Sequence, residues 1–295
     1  MVAPNKTRVG FVGTGVMGGP MAGHALAAGY EVAVFTRTRE KAASLLESGA
    51  EWASSVAELA ERCDVVVTMV GYPADVEEVY LGEEGLVAHA HPGMYLIDCT
   101  TSSPALAARI ATEAASRGVH ALDAPVTGGD VGAREARLSI MVGGSAEDFL
   151  EVEALLKVFG ATVIHQGPAG SGQHTKMANQ LAIAASMIGA AEVLGYAKAS
   201  GLDPERVLRS VSAGSAGSWS LTNLAPRMLA EDFAPGFYVK HFVKDLRIAL
   251  ESAAELGIEL PGGALALRLY ESLVDAGYAD EGTQAIWRLY RDAGK

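Results

Sequence analysis

The chain has 295 residues, 49% of them hydrophobic, and a formal net charge of −12. That length accommodates two domains with cores of their own. The acidic balance argues against nucleic acid as a main partner, because phosphate backbones require clustered Lys and Arg. Two cysteines, Cys63 and Cys99, give neither a disulfide framework nor a metal-binding spacing, and they read as reduced thiols packed near strands.

Met1–Thr7 lacks the apolar centre of a signal peptide, so a cytoplasmic location is expected. Val9, Phe11 and Val12 form a short apolar run of the kind found in buried parallel strands. Gly13, Gly15 and Gly18 then spell G-x-G-x-x-G where strand gives way to a predicted helix, Met17–Ala28, stopped by Gly29. A second strand is predicted at Glu31–Phe35. In this setting the first glycine permits the tight turn, the second lets a pyrophosphate approach bare backbone, and the third lets helix pack on sheet. Phosphates would sit at the helix N-terminus, where free N–H groups and the dipole favour negative charge. The candidate cofactor-binding residues here are Gly13, Thr14, Gly15, Val16, Met17 and Gly18.

In dinucleotide folds an acidic residue at the end of the second strand holds the ribose 2′-hydroxyl of NAD. This chain has Thr36, Arg37, Thr38 and Arg39 there, with Lys41 close behind and no carboxylate at the strand end. An arginine suits a 2′-phosphate through charge-assisted hydrogen bonds. NADP is therefore favoured over NAD, the other reading being a solvated basic turn.

A helix is predicted through Lys41–Leu46, ending near Gly49, and central strands at Val65–Val70 and Tyr95–Asp98. Ser103-Pro104 looks like an N-cap with proline at the first helical position, opening a helix that Gly118 closes. Strands follow at His120–Asp123 and Leu138–Val142. Ser145 with Asp148 resembles a capping box for a helix to Phe159, and Thr162–His165 is the last predicted strand. The alternation predicts an α/β, Rossmann-type doubly wound sheet over residues 1–168.

Beyond Gly167-Pro168-Ala169-Gly170 the pattern is helical only, predicting an all-α domain over 169–295 joined by a long helix. That helix, about Gln173 to Ser200, carries no charge between Lys176 and Glu192, so it is expected to be buried on all sides. At a rise of about 1.5 Å per residue it spans roughly 40 Å. Asn179, Gln180 and Ser186 interrupt its apolar run, which argues against a membrane partner. Further helices are predicted near Pro204–Val211, Leu221–Leu229, Val239–Leu256, Gly263–Ala276 and Glu281–Arg291, with a loop at Ser210–Ser220.

Three constellations carry chemistry. Lys176 stands at the start of the long helix, with Asn179 and Gln180 on the same helical face. Such a lysine either snorkels to water or serves as a general acid or base tuned by its surroundings. Lys244, next to Asp245, is either a paired surface lysine or a second functional one. Asp123-Ala124-Pro125-Val126-Thr127-Gly128-Gly129 follows a strand, where ligands of open α/β sheets bind. Its hydroxyl and two glycines could expose N–H groups to a carboxylate, or form an ordinary glycine turn.

Phe11 through Met21, Asp123–Gly129, Gly170–Gln180 and Lys244-Asp245 together resemble the ordered motifs of the β-hydroxyacid dehydrogenases, over essentially the whole chain. That family includes 3-hydroxyisobutyrate dehydrogenase and the tartronate, glyoxylate and succinic semialdehyde reductases. The resemblance implies that Lys176 is the catalytic acid/base and that Thr127, Gly128 and Gly129 grip a small carboxylate substrate. It also implies that Lys244 contacts cofactor or substrate, that Met69, Val70, Thr100 and Thr101 line the nicotinamide side, and that the protein forms dimers or tetramers. The sequence departs from the family at Thr127 (usually Ser), Gln180 (often Asn), Ala136 (often Gly), Val70-Gly71 (often Leu-Pro) and Thr36 (usually Asn). The expected activity is NAD(P)-dependent hydride transfer between nicotinamide and a β-hydroxyacid or its semialdehyde. The alternatives are an imine-type reductase, which usually lacks this lysine, a 6-phosphogluconate-like dehydrogenase, or a non-catalytic sensor.

Overall fold

The computed structural model describes residues 2–291. Its N-terminal part alternates β1 (Arg8–Val12), α1 (Gly18–Ala27), β2 (Glu31–Phe35), α2 (Ala43–Glu47), β3 (Glu51–Trp52), α3 (Val56–Arg62), β4 (Val65–Thr68), α4 (Pro73–Leu81), α5 (Leu86–His89), β5 (Tyr95–Asp98) and α6 (Pro104–Ala115). It continues with β6 (His120–Asp123), β7 (Val126–Thr127), α7 (Gly129–Arg134), β8 (Leu138–Gly143), α8 (Ala146–Leu156) and β9 (Gly160–Gly167). The strands form one sheet in the order β3-β2-β1-β4-β5-β6-β8-β7, with β9 also on β8. Six are parallel through β6, β8 runs antiparallel to β6 and β7, and β9 is parallel to β8.

Alternation along a strand sends successive side chains to opposite faces. Val65 and Val67 accordingly pack with Met21, Leu45 and Leu155 from α1, α2 and α8. Val66 packs on the other face with Leu59, Tyr80, Leu86 and Ile110 from α3 to α6. This double burial is why the parallel strands read as unbroken apolar runs. Ser103 accepts from the Leu106 N–H at 3.4 Å and Ser145 from the Asp148 N–H at 3.0 Å, so both serines cap their helices.

The strand expected through Val70 stops at Thr68, because the Val70 N–H turns to the Thr100 hydroxyl at 3.0 Å instead of continuing the ladder. The helix expected to reach Phe159 ends at Leu156, and the turn after it feeds β9. Helices α3, α4, α5 and α7, of seven, nine, four and six residues, are too short to carry a clear 3.6-residue pattern.

The C-terminal part is helical: α9 (Ser171–Ala199), α10 (Pro204–Ser212), α11 (Trp219–Asn223), α12 (Ala225–Leu229), α13 (Val239–Glu255) and α14 (Pro261–Asp275), ending in a 3₁₀ segment, Thr283–Leu289. The helix expected at Leu221–Leu229 is two, since Pro226 removes an N–H and disfavours helical geometry before it. The final helix, expected at Glu281–Arg291, is 3₁₀. Met187, Leu194, Phe242, Leu246, Tyr270 and Trp287 centre this part's core.

Packing separates two compact units, Met1–Lys176 and Met177–Lys295, and α9 runs through the division. The expectation that α9 is buried all round does not hold. Gln173, Lys176, Gln180, Ala184, Met187, Ala191 and Leu194 are buried, whereas His174, Ala178, Ala182, Ala185 and Tyr196 are exposed. Lack of charge fixes what a helix avoids, not how many of its sides the chain itself covers. Among the described residues α9 is the one helix long and apolar enough to cross a membrane by composition, and 39% of its most apolar window is buried inside the chain.

Candidate active site

The order of the parallel strands reverses between β1 and β4, which is where open α/β sheets place their ligands. The turn leaving β1 is shaped by the three glycines. Gly13 has φ +91°, and a Cβ there would lie 2.2 Å from the Met69 carbonyl. A Cβ on Gly18 would lie 2.1 Å from the Gly13 carbonyl, so α1 can start this close to the turn only without a side chain. Gly15 faces open space, with no atom within 4 Å of a Cβ built on it.

Between them the Thr14 hydroxyl is buried and has no hydrogen-bond partner among the described residues. Helix α1 begins with neither a side-chain cap nor an acidic residue in its first turn. An open glycine, an unpartnered hydroxyl and uncapped N–H groups form a donor-rich cradle that fits a dinucleotide's phosphates. Val16 is exposed and Met17 half-buried at its edge.

Beyond the adjacent strand ends, the Met69 N–H donates to the Val12 carbonyl at 2.8 Å and the Val70 N–H to Thr100 Oγ1 at 3.0 Å. The Thr100 N–H in turn donates to Asp98 Oδ1 at 2.9 Å, and Thr101 follows half-buried. These residues share the carboxyl ends of β1, β4 and β5 with the glycine turn. At the end of β2, Thr36 is half-buried, and Arg37 and Thr38 are exposed. The Arg37 guanidinium lies 3.4 Å from Asp75 with its side chain 83% exposed.

Asp123 closes β6 and is 3% exposed. Its Oδ1 accepts the Gly170 N–H at 2.7 Å and its Oδ2 the Gln173 N–H at 2.8 Å. The carboxylate thus caps the first turn of α9 across the sheet edge. Burial pushes its pKa above the usual carboxylate value, and the N–H donors pull against that rise. The fully buried Gln173 donates from Nε2 to the Thr100 carbonyl at 2.7 Å and accepts the Ser102 N–H at 2.9 Å. Gly172 sits so close that a Cβ would fall 2.4 Å from the Met141 carbonyl.

One turn further along α9, Lys176 is 6% exposed, and its Nζ donates to the Val126 carbonyl at 2.9 Å. Val126 precedes Thr127, Gly128 (φ +128°) and Gly129 (φ +65°), the turn that opens α7. The lysine is held inward rather than snorkelling to water.

In the second unit, Asn179 Nδ2 donates to Gln180 Oε1 at 2.7 Å and Gln180 Nε2 to Asp245 Oδ2 at 2.7 Å. Lys244 Nζ lies 3.0 Å from the other oxygen of Asp245, and both side chains are largely buried. Gln180 uses both ends of its amide inside the protein, whereas Asn179 uses one among the described residues. Lys244 belongs to a buried ion pair, not to the surface.

The NAD binding domain of 6-phosphogluconate dehydrogenase matches residues 8–167, and the NAD-binding domain of NADP-dependent 3-hydroxyisobutyrate dehydrogenase matches residues 170–290. The uncharacterized oxidoreductase YkwC of Bacillus subtilis is 55% identical over 97% of this chain and 99% of its own length. A 3-hydroxyisobutyrate dehydrogenase of Pseudomonas aeruginosa is 37% identical over 97% of this chain and 99% of its own. The chain belongs to the β-hydroxyacid dehydrogenase family. Among solved structures, 3-hydroxyisobutyrate dehydrogenase of Mycobacterium tuberculosis with L-serine superposes with a TM-score of 0.89 at 30% identity, covering 97% of this chain and 99% of that one. An imine reductase of Myxococcus stipitatus shares the fold alone, with a TM-score of 0.64 and 20% identity over 95% of this chain and 99% of its own.

Sequence reasoning missed Gln173 and the anchoring role of Asp123. The available signal was a polar side chain three positions past Gly170 on what became the buried face of α9.

The glycine turn separates folding from binding. Gly15→Ala is expected to keep its melting temperature within about 1 °C while weakening NADPH affinity tenfold or more, because its methyl enters only the phosphate space. Gly18→Ala is expected to lower the melting temperature as well, since its methyl meets backbone. Calorimetry and cofactor titration on both variants check this.

Proposed function

We propose that the chain carries out hydride transfer on a small β-hydroxyacid or its semialdehyde, with Lys176 as the general acid/base. As a family member it is an NAD(P)-dependent hydroxyacid dehydrogenase. The observation that carries the site assignment is Lys176 Nζ, fixed 2.9 Å from the carbonyl that precedes the Thr127-Gly128-Gly129 turn. A substrate whose carboxylate lies on that turn places its neighbouring oxygen near Nζ.

The bound nicotinamide supplies or accepts the hydride. Lys176 handles the proton: Nζ gives it to the carbonyl oxygen in the reducing direction and takes it from the hydroxyl in the oxidising one. Thr127 and the N–H groups of Gly128 and Gly129 hold the carboxylate, a task of positioning. Asn179 is proposed to orient the substrate oxygen, with Gln180 held back by Asp245. Lys244, fixed by the same Asp245, is proposed to meet the cofactor. Gly13 to Gly18 hold the pyrophosphate, and Met69, Val70, Thr100 and Thr101 flank the nicotinamide.

NADP is the proposed cofactor, supported by the absence of a carboxylate at the end of β2 and by the exposed Arg37. The imine-reductase and sensor readings are disfavoured by the inward-held Lys176. Self-association as a dimer or tetramer is proposed, supported by the uncharged exposed positions Ala178, Ala182 and Ala185 in the first half of α9. A cytoplasmic setting is proposed, supported by the two buried cysteines, Cys63 and Cys99, being free.

The test is a panel of initial rates with NADPH and NADH against succinic semialdehyde, glyoxylate and tartronate semialdehyde, with 3-hydroxyisobutyrate in the oxidising direction. Lys176→Ala is expected to cut turnover roughly 10²-fold or more while leaving NADPH affinity within twofold. Full activity in that variant would sink the assignment. Arg37→Ser is expected to raise KM for NADPH about tenfold and leave KM for NADH nearly unchanged. Equal effects on both cofactors would remove the argument for NADP.

A further inference from the structure

Helix α7 has six residues, and the Thr127-Gly128-Gly129 turn forms its N-terminal end. So short a helix is not stable by itself, because the cost of the first turn is not recovered. Its C-terminal end is also strained. Ala136, just beyond it, has φ +53°, a left-handed conformation that is unfavourable for a non-glycine residue. The Arg137 N–H reaches back to the Gly132 carbonyl at 2.8 Å, the outer bond of a Schellman-type ending.

The inner carbonyls at this end are met from another helix. His24 Nε2 lies 3.0 Å from the Ala133 carbonyl and 3.1 Å from that of Arg134. Two carbonyls can share only a donor, so Nε2 carries the hydrogen. His24 stands in the last turn of α1, the helix whose first turn adjoins the glycine cradle. A single side chain therefore ties the cofactor helix to the helix that carries the proposed substrate turn.

We propose that His24 is a positioning residue for the substrate: by bridging the last carbonyls of α7 it fixes that helix on α1 and holds the Thr127-Gly128-Gly129 turn in register for the carboxylate. This rests on the reading of that turn as the carboxylate grip. His24 touches neither substrate nor reacting atoms in this account, and its effect passes through α7.

The experiment uses the full-length protein with NADPH and whichever carboxylate substrate of the panel above it turns over best. It compares His24→Ala, His24→Gln and Thr127→Ala. His24→Ala is expected to raise KM for the carboxylate substrate about 3- to 10-fold, the worth of one ordinary hydrogen bond. Its kcat and NADPH affinity should stay within twofold, and amide exchange over residues 129–137 should accelerate. His24→Gln, whose amide N–H reaches about as far as Nε2, should return both KM and exchange to near wild type. His24→Asn, too short to reach, serves if His24→Ala folds poorly and should behave like it.

An unchanged KM in a folded His24→Ala variant overturns the proposal, as does an equal loss of NADPH affinity or a failure of His24→Gln to restore KM. Thr127→Ala separates the two levels. If it raises KM and His24→Ala does not, only the positioning role fails. If Thr127→Ala leaves KM unchanged, the carboxylate-grip reading fails first.

Discussion

A single buried carboxylate sets where Lys176, the proposed acid/base, stands. Asp123 receives the Gly170 and Gln173 N–H groups, so the first turn of α9 is pinned to the end of β6 by two charge-assisted bonds of about 1.5–3 kcal/mol each. An exposed aspartate would contribute far less, because water would compete for the same donors. Burial raises its pKa, and the helix N-terminus, a natural site for negative charge, makes the ionised form tolerable. Gln173 extends the joint to the Thr100 carbonyl and the Ser102 N–H, so α9 is fastened to β5 as well as β6. Lys176 lies one turn beyond that joint, so helix rigidity carries the placement to its backbone, and the Val126 carbonyl 2.9 Å away fixes Nζ.

The same economy of attachment governs the rest of the candidate site. The glycine cradle, Met69-Val70 and Thr100-Thr101 all sit at strand ends, where a sheet buried on both faces leaves little freedom. The Val70 N–H bonded to Thr100 Oγ1 stitches two of these ends together. In the second unit the order is reversed: side chains hold one another. Asp245 takes Gln180 on one oxygen and Lys244 on the other, so the ion pair neutralises what would be a costly buried charge. The consequence is chemical, since Gln180 is committed at both ends of its amide, whereas among the described residues Asn179 is committed at one.

Much of this was legible before any fold was known, because the signals were local. Gly13, Gly15 and Gly18, set between a strand and a helix with a second strand after them, point to a phosphate-binding turn, and Ser103 and Ser145 mark their helices as caps. Lys176 drew attention as a charge beginning an uncharged helix. What was hidden depends on residues far apart in sequence. Asp123 and Gln173 are fifty positions apart, and nothing in either neighbourhood reveals that they bond. His24 reads as one polar position on an amphipathic helix until α7 is placed beside it. The extent of α9 burial was misjudged for a related reason: composition shows that a helix shuns charge, not how many of its sides the chain covers. The mutual binding of Gln180 and Asp245, sixty-five positions apart, is of the same kind.

In the proposed reaction the Asp123 carboxylate delivers Lys176 to the reacting oxygen. Asp123→Asn tests it most directly, because the side chain keeps its size but can accept only one of the two N–H groups at its carbonyl oxygen. Single-turnover rates of hydride transfer with saturating NADPH, measured beside NADPH affinity, are the decisive readout. The account predicts a drop in that rate of about tenfold or more, with cofactor affinity within twofold of wild type. A rate equal to wild type in a folded Asp123→Asn protein would contradict it.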